Sequence, residues 1–88
     1  MFEQMTEQEA RGMVLESVRQ YCEQFHMQQD QWKPGQRVPY AARVYDSREM
    51  VQLADSVLDF WLTAGRYTQQ FEKGLADYLG VSYCSFVN

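Results

Sequence analysis

The stretch Phe71-Glu72-Lys73-Gly74-Leu75-Ala76-Asp77-Tyr78-Leu79-Gly80-Val81-Ser82-Tyr83-Cys84-Ser85-Phe86-Val87-Asn88 decides how the chain is read, because its hydrophobic period changes once within it. Phe71, Leu75, Tyr78 and Leu79 recur at helical spacing, and Gly80 stands where a helix ends in a left-handed cap. Beyond Gly80, the residues Val81, Tyr83, Cys84, Phe86 and Val87 cluster or alternate in the manner of a β-strand. No partner strand is legible earlier in the chain, and a buried unpaired backbone group costs on the order of 1–3 kcal/mol. The pattern therefore predicts a strand whose sheet comes from further sequence or from another molecule.

Working backwards, the helix before Gly80 is predicted from about Thr68 to Leu79, after a break at Thr63-Ala64-Gly65. A second helix opens on the capping signal Asp46-Ser47-Arg48-Glu49 and carries Met50, Leu53, Ala54, Val57, Leu58 and Trp61 on one face, stopping near Leu62. Residues 30–45 hold Trp32-Lys33-Pro34-Gly35 and Val38-Pro39, which break regular structure and leave a loop or extended arm with Trp32, Tyr40 and Tyr45. The first helix starts at Thr6-Glu7-Gln8-Glu9, which has capping-box spacing, and its stripe is Val14, Val18, Tyr21, Cys22 and Phe25. Glu7, Arg11, Glu16, Arg19 and Glu23 fall on the opposite, solvated face, and the pattern dies in Gln28-Gln29-Asp30-Gln31. The expected fold class is mostly α: a leading helix over 1–29, the arm over 30–45, and a helix-turn-helix-strand over 46–88.

Composition narrows the function. A chain of 88 residues makes at most one small domain, and near this size folding buries only roughly 60–65% of the unfolded surface. Apolar content of 45% argues against disorder. No apolar run approaches the ~20 residues of a membrane span, and the acidic start lacks a secretory pattern, so a cytoplasmic setting is expected. Eight basic residues are scattered singly in a chain of net charge −4, which disfavours nucleic acid. Cys22 and Cys84 are expected as reduced, buried thiols.

Few residues carry chemistry. Cys22 and His26 share a helix face, but a structural zinc takes four ligands. His26, the single histidine, has no nucleophile near it in sequence. Asp55 and Asp59 read as solvated carboxylates rather than an acid–base pair. The run Trp61-Leu62-Thr63-Ala64-Gly65-Arg66-Tyr67 differs, because a helix-to-helix turn there presents aromatics, a hydroxyl and an arginine able to clamp phosphate or carboxylate. Its alternative reading is structural, with Trp61 and Tyr67 in a core, Gly65 easing the turn and Arg66 in solvent.

The run Leu58-Asp59-Phe60-Trp61-Leu62-Thr63-Ala64-Gly65-Arg66-Tyr67, followed by Phe71-Glu72, Leu75, Tyr78-Leu79-Gly80-Val81 and Val87-Asn88, resembles the N-terminal region of the DegT/DnrJ/EryC1/StrS family of sugar aminotransferases and dehydrases. Within it the run is most similar to the lipopolysaccharide-biosynthesis dehydrases acting at C-3 of CDP-4-keto-6-deoxyhexoses, and Val38-Pro39-Tyr40-Ala41-Ala42-Arg43-Val44-Tyr45-Asp46 looks like the same branch. The resemblance implies an α/β aspartate-aminotransferase-like fold (pyridoxal-phosphate fold type I), a homodimer, pyridoxamine phosphate, a [2Fe-2S] cluster on four cysteines, and a reductase partner. It implies that a phosphate-holding turn follows Asn88, so the segment itself holds no cofactor. Cys22, Cys84 and His26 do not match the family's cluster or catalytic positions, so no catalytic, cofactor or metal residue is assigned. Trp61, Thr63 and Arg66 are the expected contacts to the CDP-linked sugar. On this resemblance the chain is the N-terminal segment of a dehydrase of O-antigen 3,6-dideoxyhexose synthesis. An aminotransferase of the same family, or a small helical interaction module lending its strand to a partner, are the competing readings.

Overall fold

The computed structural model describes residues 1–27 and 32–88, and among them there are three helices and no strand. α1 spans Glu7–Phe25, α2 Ser47–Leu58 and α3 Arg66–Leu79. The chain divides into two compact units, Met1–Asp55 and Ser56–Asn88, with the division inside α2. The polar stretch Gln28-Gln29-Asp30-Gln31, where the pattern of the first helix dies in the sequence, lies outside the described residues.

In the first unit, α1 starts as its capping box dictates. The Thr6 backbone is extended (φ −69°, ψ 160°), which turns its hydroxyl onto the Glu9 N–H at 3.2 Å while the Glu9 carboxylate accepts the Thr6 N–H at 2.8 Å. The helix ends at His26, whose N–H still reaches the Cys22 carbonyl at 2.9 Å. α2 opens in an equivalent way. The Asp46 carboxylate accepts the Arg48 N–H at 2.8 Å, and Glu49 reaches back to the Asp46 N–H at 2.8 Å.

Two polar contacts set the direction of α2 along α1. Arg11, early in α1, donates through Nη1 to the Asp55 carboxylate at 2.7 Å and to the Asp55 carbonyl at 3.0 Å, late in α2. Ser47, first in α2, donates its hydroxyl to Glu23, late in α1, at 3.3 Å. Early meets late at both ends, so the helices run antiparallel. The tie points lie about 18 Å apart along α1 and about 12 Å apart along α2 at 1.5 Å per residue, a mismatch that long Arg and Glu side chains absorb. This corrects the sequence reading, which put Arg11 and Asp55 in solvent: only 21% and 18% of their side-chain surfaces are exposed. Charge complementarity holds them at the helix contact, where an apolar stripe alone would not have placed them.

Between these helices the arm opens with a turn at Lys33-Pro34-Gly35-Gln36, closed by the Gln36 N–H on the Lys33 carbonyl at 3.1 Å. Pro34 takes the second position and Gly35, at φ 94°, the third, which needs left-handed backbone. Residues 37–46 then carry neither helix nor strand.

In the second unit, Gly80 ends α3 at φ 70°, ψ 28°. Its N–H meets the Asp77 carbonyl at 3.2 Å and the Val81 N–H the Ala76 carbonyl at 3.0 Å, the paired bonds of a Schellman cap. The strand expected over residues 81–88 is absent. A strand exists through ladder bonds, and the second unit offers this tail no backbone partner; instead the Phe86 N–H donates to the Glu72 carboxylate at 3.3 Å and its ring meets Phe71 edge-on at 5.4 Å.

Burial is shallow. Among the described apolar residues only Cys22 and Ala76 are buried, at 8% and 6% exposure, while the stripe residues Leu53, Val57, Tyr78 and Leu79 remain open. Both cysteines are free thiols; Cys22 is buried as expected, and Cys84 is half-buried.

Thr6→Ala removes one half of the capping box, and about 1 kcal/mol of local stability is expected to go with it. Hydrogen exchange should quicken in the first turn of α1 and leave the α3 amides unchanged. Acid acts on two further carboxylates. Arg48, chiefly, and the Arg48 N–H hold Asp46 down at about 2, and Arg19, then Gln20, hold Glu16 down at about 2. Both folded values lie below the ordinary ones, so their contribution is complete above about pH 4.5 and is lost as pH falls through about 2. Helicity followed by circular dichroism should stay level from neutral pH to about pH 4.5 and decline from there to about pH 2.

Candidate functional site

The turn joining α2 to α3 is built by a tightened helix end. After Leu58 the Asp59 N–H bonds the Ser56 carbonyl at 3.2 Å and the Phe60 N–H the Val57 carbonyl at 3.0 Å, three-residue bonds that close the last turn of α2. Phe60 then takes φ 54°, left-handed backbone that a bulky side chain rarely adopts, and reverses the chain with its ring 95% exposed. The Trp61 indole N–H donates to the Ala64 carbonyl at 3.0 Å and so spans the bend that holds Thr63. Gly65 precedes α3 and has no side-chain oxygen to cap the helix.

Arg66, the first residue of α3, faces back across this turn. Its Nε donates to Asp59 Oδ2 at 2.7 Å and its Nη2 to Oδ1 at 3.2 Å, a forked pair with both carboxylate oxygens engaged. The guanidinium carbon also lies 4.4 Å from the centre of the Tyr67 ring. Trp61, Thr63 and Arg66 therefore occupy one exposed turn. Sequence reasoning missed the partners that orient Arg66: Asp59 is an ion-pair acceptor rather than a solvated carboxylate, and Tyr67 supports the guanidinium. An acid and an arginine seven apart across a Thr-Ala-Gly break were the available signal.

Chemically, the turn offers a charge-assisted fork, a flat indole and a hydroxyl, which suits recognition of an anionic, hydroxyl-bearing ligand. Such an anion competes with Asp59 for the guanidinium. His26, the one histidine, ends α1 with its ring 5.7 Å from that of Tyr21. Among the described residues no group of three or more His, Cys, Asp or Glu is placed to hold a metal ion, and no helix is long and apolar enough to cross a membrane.

Comparison with known proteins adds one relative. The chain is similar to the lipopolysaccharide biosynthesis protein RfbH of Salmonella typhimurium, with 29% identity over 79 residues that cover 90% of this chain. It spans only 18% of the length of RfbH. No family model matches the chain, and no solved structure matches it.

Asp59→Asn leaves one acceptor oxygen where the fork uses two. Because the pair is partly exposed, the expected stability loss is below about 1 kcal/mol. The side-chain Nε–H of Arg66 should nevertheless exchange with solvent faster in nuclear magnetic resonance spectra, with the Trp61 indole signal shifted.

Proposed function

We propose that this chain forms part of a lipopolysaccharide-biosynthesis enzyme and that the α2–α3 turn helps to hold its sugar-nucleotide substrate. The carrying observation is the similarity to RfbH over nearly the whole chain. The finer reading is a C-3 dehydrase of CDP-4-keto-6-deoxyhexoses, cytoplasmic and homodimeric, working with a reductase; the family resemblance of residues 34–88 supports it. In this reading Arg66 supplies paired donors to the diphosphate, Trp61 a flat apolar face to a ring, and Thr63 a hydroxyl able to donate to or accept from the sugar. Asp59 holds the Arg66 fork in orientation until the anion arrives.

The residues of this chain do not fit the groups that such a dehydrase uses. A [2Fe-2S] cluster takes four ligands, whereas the chain has two cysteines, with Cys22 on α1 in one unit and Cys84 in the tail of the other. His26, which ends α1 in the first unit, has its ring 5.7 Å from that of Tyr21. Pyridoxamine phosphate and the cluster accordingly belong, on this proposal, to parts of an RfbH-like protein other than these residues, and the chain's own share of the work is to bind and orient the substrate.

A hybrid in which this chain replaces the matching part of RfbH tests the proposal in an RfbH-deficient Salmonella strain. Restored lipopolysaccharide is expected, and Arg66→Ala in the purified hybrid should raise KM for the CDP-sugar about tenfold with a smaller effect on kcat. A hybrid that accumulates normally yet restores nothing overturns it.

A further inference from the structure

The arm between α1 and α2 is held at both ends and unbonded between them. At its start the Trp32 indole N–H donates to the Gln36 carbonyl at 3.3 Å, and the Gln36 side chain accepts the Lys33 N–H at 2.9 Å. At its end the Asp46 N–H is held by Glu49. Among the described residues, no backbone group of residues 37–45 takes part in a hydrogen bond, and every one of these residues is exposed.

Side chains in this stretch are sorted at a period of two. On an extended chain Val38, Tyr40, Ala42 and Val44 share one face, and Arg37, Pro39, Ala41, Arg43 and Tyr45 share the other. The apolar row stands open, with Val38 at 71%, Tyr40 at 103% and Val44 at 92% exposure. Pro39 fixes the side on which such a strand can pair. In extended backbone successive residues point their N–H and C=O groups to opposite edges, and proline has no N–H to give. The edge that carries Pro39 is therefore deficient, while the edge shared by Val38, Tyr40, Ala42 and Val44 keeps every donor and acceptor. The same four residues supply the intact edge and the apolar face.

Given the function proposed above, on which this step rests, we propose that residues 37–45 add as an edge strand to a sheet in the rest of the RfbH-like protein. They pair through Val38, Tyr40, Ala42 and Val44, whose side chains are covered, and Arg37 and Arg43 lie beside acidic groups on the opposite face. Among the described residues no strand is present to receive the arm, and the chain spans only 18% of RfbH, so most of such a protein is available to supply the edge. A flat apolar patch would cover the side chains and leave the backbone row without partners, whereas a sheet edge meets both needs. The bend at Tyr40 and Ala41 straightens on docking. Pro39 then faces the outer edge, where it blocks a further strand.

Amide hydrogen exchange in the purified hybrid of this chain with RfbH tests the pairing, with the 88-residue chain alone as reference. In the chain alone the amides of residues 37–45 should all exchange fast. In the hybrid those of Val38, Tyr40, Ala42 and Val44 should slow by about tenfold or more, while Ala41, Arg43 and Tyr45 stay fast. Ala42→Pro removes a donor from the pairing edge and should abolish the protection of Val38, Tyr40 and Val44; Ala41→Pro, on the outer edge beside Pro39, should leave it in place. Both positions lie outside every helix, so helicity should be unchanged in each. A hybrid that restores lipopolysaccharide yet shows uniform exchange, protection of the odd positions instead, or equal effects of the two proline variants overturns the pairing and leaves the proposed function standing. A hybrid that accumulates, restores nothing and shows no alternation overturns both.

Discussion

The first unit depends on the Arg11–Asp55 ion pair. α1 and α2 bury too little apolar surface for packing alone to fix their relation, since Cys22 is the one apolar residue of this unit below a tenth exposure among those described. A charged pair with about four-fifths of each side chain covered is directional where a thin hydrophobic contact is not. Asp55, with Glu7 second, keeps the guanidinium firmly protonated, above its already high ordinary value. Removing either partner would leave a covered charge unmet, which is why such pairs specify geometry even when they add little net stability. The Ser47–Glu23 contact then fixes the opposite end of the helix pair.

The same logic recurs in the second unit on a smaller scale. Phe60 in left-handed backbone reverses the chain, an unfavourable conformation that must be offset locally. The Trp61 indole bond across the bend and the Asp59–Arg66 fork supply that offset. Because the fork is partly exposed and the turn projects aromatic surface, what holds the turn in shape is also what an anionic ligand would meet. On the proposed function, the structural and recognition roles of Arg66 would share one geometry, and the two readings of this turn in the sequence need not exclude each other.

Much of the local structure was legible. The Thr6 and Asp46 caps, the Gly80 stop and the Pro34-Gly35 turn each rest on residues a few positions apart, so sequence alone fixes them. Helix ends drifted where caps were weak: α2 ends at Leu58 rather than near Leu62, and α3 begins at Arg66 rather than Thr68. The expected contact residues fall in one turn, but the partners of Arg66 were not foreseen, because periodicity assigns faces and says nothing of which charges meet across a bend.

The tail shows the limit most clearly. Alternation in residues 81–88 expresses a preference for extended backbone, but a strand is made by its neighbour, and the second unit provides Glu72 and Phe71 instead of a ladder. The sequence by itself determined where helices start and stop, since capping and left-handed glycine are settled within a turn of chain. Only the tertiary structure decided that Arg11 meets Asp55, that Asp59 holds Arg66 and that the tail joins no ladder, because those outcomes depend on which distant groups share space.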